Sequence, residues 1–281
     1  MTIVVTGATG HFGRHAVESL LSRGVPADQI VAIGRSIEKI QDLADRGVRV
    51  QYASYDEPES LRKVFAGADK LLFVSASEPG KRIPQHQNVV DAAKDAGIGL
   101  IVYTSAPHAD SSGMILATEH LATERALAAS GIPSVILRNG WYLENYDLRG
   151  ALEHGLVGAA GDGKLSLATR ADLAEAAAAA VLADQHDKQV YELGGEGVTL
   201  AELAAEVSRQ SGREVAYTNL PQDKYVEFLV GVGVPEGFAA VLADSDHHAA
   251  SGALYTGTED LAHLLGRPAT PLADAVRARL A

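Results

Sequence analysis

One stretch constrains this chain more than any other: Thr6-Gly7-Ala8-Thr9-Gly10-His11-Phe12-Gly13-Arg14. A β-branched run at residues 3–6 leads into it, and Ala16, Val17, Leu20 and Leu21 follow as one apolar stripe at helical spacing. Three glycines in register between a strand and a helix are more than a tight turn requires. Gly7 allows the turn, Gly10 lets backbone approach a pyrophosphate, and Gly13 lets the helix pack closely on the strand. The N–H groups and helix dipole at residues 10–14 favour negative charge, so a dinucleotide would lie along Thr9, Gly10, His11, Phe12 and Gly13.

The first half continues the alternation. Residues 30–33, 48–53, 71–75, 100–104 and 134–137 read as further strands, without the polar/apolar alternation of a half-exposed sheet. Helical patterns separate them, first Pro58 with Leu61, Val64 and Phe65, then Val89, Val90 and Ala93. Such alternation implies right-handed crossovers and a Rossmann-type α/β fold with a doubly wound parallel sheet. The second half is less regular. A capping pattern at 169–172 starts an Ala-rich helix to about 183, residues 188–193 read as a strand, and residues 200–210 as a helix. The expected organisation is a dinucleotide domain over 1–145 and a smaller C-terminal α/β substrate lobe over 146–281, with the segment at about 165–195 able to return to the sheet.

The end of the second strand decides between dinucleotides. NAD-selective sites put Asp or Glu there, about 20 residues past the loop, on the ribose 2′-hydroxyl. This chain reads Ile33-Gly34-Arg35-Ser36, so Arg35 would pair with a 2′-phosphate and no carboxylate stands in the way. NADPH is therefore favoured over NADH, and Arg14 adds positive charge nearby. Asp56 is open to two readings, an acceptor for the adenine amine or the N-terminal cap of the helix at Pro58.

Composition narrows the chemistry. The 281 residues include 24 Lys+Arg against 36 Asp+Glu, a net charge of −12 that speaks against nucleic acid as a partner. Cysteine is absent, which removes disulfides, thiolate nucleophiles, Fe–S clusters and Cys-based zinc sites. His11 and His15 share a helix face and His247 adjoins His248, but no third ligand completes a metal pattern. No basic and apolar leader opens the sequence. The Ala-rich tract at 174–183 contains Glu175 and is far short of the roughly 18–20 residues that span a membrane, so a cytoplasmic protein is expected.

The segment Leu137-Arg138-Asn139-Gly140-Trp141-Tyr142-Leu143-Glu144-Asn145-Tyr146 resembles the NmrA-like group of atypical short-chain dehydrogenases, and the Gly-x-x-Gly-x-x-Gly spacing suits the loop of that superfamily. The likeness is closest to the flavin-free NADPH:quinone oxidoreductases of type 2. It runs through Ser75-Ala76-Ser77-Glu78, Pro84-Gln85-His86, Tyr103-Thr104-Ser105, His108-Ala109-Asp110 and Glu119-His120. It continues through Ala159-Ala160-Gly161-Asp162-Gly163-Lys164, Ala168-Thr169-Arg170-Ala171-Asp172 and Leu242-Ala243-Asp244-Ser245-Asp246. The resemblance implies NADPH at Gly7, Gly10, Phe12, Gly13 and Arg35, with Phe73, Val74, Ser75 and Thr104 along its middle. A small aromatic quinone would lie near Ser105, Tyr142 and Asn145, with neither flavin nor metal.

One departure from the wider superfamily bears on the chemistry. Ordinary short-chain dehydrogenases carry Tyr-x-x-x-Lys after the fifth strand, whereas here Leu116 takes the Tyr place and His120 the Lys place. Leucine donates no proton, so reduction of ordinary ketones lacks its usual acid, while a hydroquinone anion spreads its charge over a ring and asks less. Tyr142, after the sixth strand, is placed to stack on the acceptor or bond its oxygen, while Trp141 is read as packing. His108, in a loop at 106–113, is a candidate proton relay, and His120 either relays a proton or pairs with Glu124. Asp172, Glu202 and the acidic run at 244–246 are expected to cap helices or face solvent. Two rival readings stay open, a non-catalytic NAD(P)-binding redox sensor with a regulatory protein partner, and a tailoring enzyme acting on a polycyclic polyketide quinone. A homodimer is the default assembly.

Overall fold

The six β-branched runs of the first half form strands: β1 (Ile3–Val5), β2 (Ile30–Gly34), β3 (Arg49–Tyr52), β4 (Lys70–Phe73), β5 (Leu100–Ser105) and β6 (Ser134–Asn139). The second half adds β7 (Trp141–Tyr142), β8 (Leu156–Gly158), β9 (Leu165–Ala168), β10 (Val190–Leu193), β11 (Gly197–Val198) and β12 (Tyr217–Asn219). The helices begin with α1 (His11–Ser22), α2 (Gln41–Asp45), α3 (Pro58–Phe65), α4 (Arg82–Ala96), α5 (Ile115–Ser130) and α6 (Ala151–His154). They continue with α7 (Arg170–Leu182), α8 (Leu200–Ser211), α9 (Gln222–Gly231), α10 (Glu236–Ala249), α11 (Glu259–Leu265) and α12 (Leu272–Leu280). The structure, a computed structural model, describes residues 1–78 and 80–281; Pro79 falls outside the described residues.

Seven strands make one sheet in the order β10-β6-β5-β4-β1-β2-β3. The pairings of β1 with β2 and β4, of β2 with β3, and of β4 with β5 are parallel, which is the doubly wound Rossmann-type arrangement. The chain runs outward from β1 through β2 to β3, then returns to β4 on the other side. The strand order therefore reverses between β1 and β4, and the crevice beyond their C-terminal ends is where open α/β sheets bind ligands.

The chain divides into two compact units. The first comprises Met1–Ser105, Glu119–Leu137 and Arg170–Tyr191; the second comprises Ala106–Thr118, Arg138–Thr169 and Glu192–Ala281. In the first unit α7 lies against α1, β4 and β5, and Arg23 of α1 holds Glu175 of α7 at 3.2 Å. The alanine-rich sequence of α7 follows from this position: Ala174, Ala176, Ala177, Ala178 and Ala180 are fully buried, and only small side chains permit such close approach. In another layer Leu61, Val64 and Phe65 of α3 and Val89 and Ala93 of α4 pack with Val4, Val31, Leu71 and Phe73 of the sheet.

The second unit has its own core, which includes Leu143, Tyr146, Leu156, Leu165, Leu203 and Leu254. A small sheet in the order β11-β9-β7 and the parallel pair β12-β8 frame it. Met114 and Ala117 pack into that core, and the Asp244 carboxylate accepts the N–H of Ile115 at 2.8 Å. Helix α8 opens with a capping box, in which Thr199 Oγ1 accepts the Glu202 N–H at 3.1 Å and Glu202 Oε2 accepts the Thr199 N–H at 2.8 Å. Glu202 thus caps its own helix, Asp244 caps α5, and Asp172 sits buried in the first turn of α7. Asp246 departs from the expectation: it neither caps nor meets solvent, but lies buried with Tyr146 and Ala159 as its donors. No helix among the described residues is long and apolar enough to cross a membrane.

Candidate functional site

The site of the first unit starts at the glycine loop. Gly7 has φ +61°, a conformation that disfavours side chains, and a Cβ there would already touch Val74 at 3.4 Å. A Cβ on Gly10 would meet the Gly7 carbonyl oxygen at 3.3 Å. A Cβ on Gly13 would lie 2.6 Å from the Gly7 carbonyl carbon and 2.8 Å from Ala8 Cα, so only glycine lets α1 start this close to the loop. Gly10 is the N-cap residue of α1 and has no side chain to fill the space beyond the helix end. Gly10 and His11 are exposed there, where the first N–H groups of the helix have no intrahelical partner. The cradle thus has the shape and polarity for a pyrophosphate. A fourth glycine escaped the sequence reading: at Gly34, the last residue of β2, a Cβ would sit 2.6 Å from the Thr9 side chain. Thr9 packs over the end of β2, and the signal for this was the Gly34-Arg35 pair itself.

The ends of β4 and β5 form one hydrogen-bonded ladder beside the loop. Thr6 Oγ1 accepts the Val74 N–H at 2.9 Å, and the Tyr55 hydroxyl donates to the Val74 carbonyl at 2.6 Å. The Ser75 N–H donates to Thr104 Oγ1 at 2.9 Å. Val74, Ser75 and Thr104 therefore stand together next to Gly7. Phe73 differs: its ring is fully buried against His86 and Tyr103, at centroid distances of 4.7 and 5.1 Å, so only its backbone is left to line a ligand.

Arg35 projects from the end of β2, yet a carboxylate does stand in its way. Its Nη1 lies 2.6 Å from Glu78 Oε1, and Lys81 Nζ approaches the other oxygen of Glu78 at 3.3 Å. The two cations hold the Glu78 carboxyl below its usual range, Arg35 contributing most. Arg14 is likewise engaged, donating to Asp42 at 3.0 Å. Of the two readings for Asp56, the cap is set aside, because Glu57 is the N-cap residue of α3. The Asp56 carboxylate is exposed and takes the Gln85 amide at 3.2 Å on both oxygens.

Behind this site is a buried polar network whose members are scattered along the sequence and meet only in the fold. The His86 Nε2 accepts the Ala76 N–H at 2.8 Å, so its proton sits on Nδ1 and is donated to Thr123 Oγ1 at 2.8 Å. Tyr103 Oη lies 2.7 Å from His120 Nδ1. Burial is the main cause that depresses both imidazoles and raises the Tyr103 phenol, so all three rings are neutral. His120 is thus a satisfied helical histidine, but its partner is Tyr103 rather than Glu124. Glu124 instead accepts the hydroxyl of Ser105 at 2.6 Å, at the C-terminal end of β5.

The remaining candidates belong to the second unit. His108 has φ +47°; its N–H donates to Glu192 at 3.2 Å, and its Nε2 lies 2.9 Å from the Tyr255 carbonyl oxygen. The Tyr142 hydroxyl accepts from Asn139 Nδ2 at 3.2 Å, and Asn145 closes the short helical turn Leu143–Asn145 that follows. Trp141 is buried in the core of this unit, which is the packing role read for it. Among the described residues no group of three His, Cys, Asp or Glu is arranged to hold a metal ion.

Comparison with known proteins places this geometry. Quinone oxidoreductase 2 of Escherichia coli is 49% identical over 278 residues, which cover 98% of this chain and 97% of that protein. The crystal structure of the NADPH-dependent quinone oxidoreductase QOR2 from E. coli, complexed with NADPH, superposes with a TM-score of 0.94 at 48% identity, covering 99% of both chains. The triphenylmethane reductase of Citrobacter sp., complexed with NADP(H), superposes with a TM-score of 0.93 at 40% identity, covering 99% of this chain and 100% of that one. The NmrA-like family model matches residues 1–261, and the chain belongs to the NmrA-like family.

Proposed function

We propose that this chain is an NADPH-dependent oxidoreductase that reduces a small aromatic quinone directly, without flavin. The observation that carries the reading is the glycine cradle, in which a Cβ on Gly13 would collide with loop backbone, set beside Arg35 at the end of β2. NADPH, when bound, supplies the hydride. His11, Phe12 and Gly13 meet the pyrophosphate through backbone N–H groups, Gly10 leaves open the space a side chain would fill, Arg35 pairs with the 2′-phosphate, and Asp56 accepts from the adenine amine. Val74, Ser75 and Thr104 line the middle of the dinucleotide. Ser105, whose proton is directed to Glu124, presents its oxygen as an acceptor, and we assign Tyr142 and Asn145 to quinone binding. His108 is assigned as the proton relay.

What the residues leave undone supports the choice of acceptor. Leu116 and His120 stand where Tyr and Lys donate a proton and fix a charge in ordinary short-chain dehydrogenases, and His120 is buried and neutral. Orienting a flat ring needs no such acid, and proximity alone is worth several kcal/mol of barrier. The test is steady oxidation of NADPH by benzoquinone or menadione with purified protein shown to be free of flavin. Acceptor-dependent loss of NADPH absorbance is expected. Its absence across a diverse quinone panel, with NAD and NADP bound equally well, refutes the reading in favour of a dinucleotide sensor.

A further inference from the structure

Arg35 and Glu78 are 43 positions apart in sequence, yet their side chains meet at 2.6 Å. Arg35 follows β2 and Glu78 follows β4, and β1 lies between these two strands in the sheet. The ion pair therefore bridges from the end of β2 to the segment after β4, the two strands that flank β1. Main-chain bonds hold Ala76 before Glu78 and Gly80 after it. The Ala76 N–H is held by His86, the Ala76 carbonyl accepts from Arg82 at 2.8 and 3.0 Å, and the Gly80 N–H donates to Glu119 at 3.0 Å. The Glu78 side chain has two partners to choose between, Arg35 and Lys81.

We propose that Glu78 is a specificity-determining residue for the dinucleotide, acting as an internal competitor for Arg35 that a 2′-phosphate must displace. This rests on the reading of the chain as NADPH-dependent. A 2′-phosphate brings up to two negative charges and three acceptor oxygens against the single carboxylate, so it takes Arg35 while Glu78 retreats to Lys81. A ribose 2′-hydroxyl has no charge with which to do so. NADH therefore leaves the pair closed and gains nothing from Arg35.

Calorimetric titration of NADPH and NADH into the wild-type chain, Glu78→Gln, Arg35→Gln and the double variant tests this. With Arg35 59% exposed, the pair is of the weak surface kind, so Glu78→Gln should tighten NADPH about two- to fivefold and move NADH by less than about twofold. In the Arg35→Gln background the gain from Glu78→Gln should vanish. Unchanged or weakened NADPH binding in Glu78→Gln overturns the proposal. Equal tightening of both dinucleotides, or tightening that persists without Arg35, also overturns it and leaves a general charge effect. Weakened NADH with unchanged NADPH assigns Glu78 to the ribose hydroxyl instead. A wild-type chain that binds no NADPH removes the reading beneath the proposal, an outcome distinct from all of these.

Discussion

Replacing Asp246 by asparagine should change the pH dependence of stability by up to about 3 kcal/mol. Asp246 is 2% exposed; its Oδ1 accepts the Tyr146 hydroxyl at 3.0 Å and its Oδ2 the Ala159 N–H at 3.1 Å. Burial outweighs these two neutral donors and pushes the carboxyl from 3.8 up to about 6. Between those values the folded chain holds a proton that the unfolded chain has released. Stability from this group is therefore full below 3.8 and lost as pH rises through about 6. At about 1.36 kcal/mol per pH unit the interval amounts to about 3 kcal/mol. Asparagine keeps both bonds: its carbonyl takes the Ala159 N–H and its amide donates to the Tyr146 oxygen. The variant should match the wild type at about pH 4 and exceed it at about pH 7.5 by up to about 3 kcal/mol. Trp141, the single Trp, lies in the same core, so its fluorescence during urea unfolding reads the unit concerned. Subtracting the two curves removes every other titrating group. A difference that stays constant from acid to neutral pH, or grows toward acid in the variant's favour, refutes the argument.

Gly13→Ala puts a methyl group against the backbone of Gly7 and Ala8, which cannot yield as a side chain would, so it should cost about 1–3 kcal/mol and weaken NADPH binding at least about tenfold. Urea melts and titration check both effects. Arg35→Asp should weaken NADPH about 10- to 100-fold by losing charge-assisted bonds, with NADH affected far less; equal losses would deny Arg35 its role. Thr199→Ala removes the capping box of α8 and should lower stability by about 1 kcal/mol without moving dinucleotide affinity. His86 and His120 are both depressed by burial, so the unfolded chain protonates first as pH falls below 6.5. A His86→Gln, His120→Gln double variant should accordingly lose less stability than the wild type between about pH 6.5 and 5, read by circular dichroism melts.

The first unit was legible because its information is local. The strand, three glycines and helix of residues 3–22 each follow from backbone sterics and periodicity within one window. Arg35 was singled out as a candidate the same way, by position relative to a strand. What was missed is tertiary. Glu78 reaches Arg35 from another crossover, Tyr103 reaches His120 from a neighbouring strand, and Gly34 is required by a threonine of a different loop. Asp246 misled for a further reason. In the run Asp244-Ser245-Asp246 two carboxylates sit two positions apart, on different sides of α10, and a one-dimensional charge pattern reads both alike, as caps or solvated groups. Asp244 does cap a helix by accepting the N–H of Ile115, whereas Asp246 is buried on the N–H of Ala159, and both donors belong to other segments.

The buried histidines bear on which acceptors the chain can serve. A lysine in the place of His120 would carry a fixed positive charge and steady a developing alkoxide. His120 cannot, because its Nδ1 is bonded to Tyr103, and burial with Arg82 and His86 nearby opposes a second proton. Tyr103 is no substitute acid either: its hydroxyl is enclosed and its phenol raised, so proton loss from it is disfavoured. Ser105 gives its hydrogen to Glu124 and presents only lone pairs. The end of β5 thus offers acceptors and neutral rings where ordinary carbonyl reduction needs a donor and a cation. An acceptor whose reduced form delocalises charge over its own ring, and can take its proton from water, needs neither. The groups that the end of β5 withholds from a simple carbonyl are ones a quinone does not require.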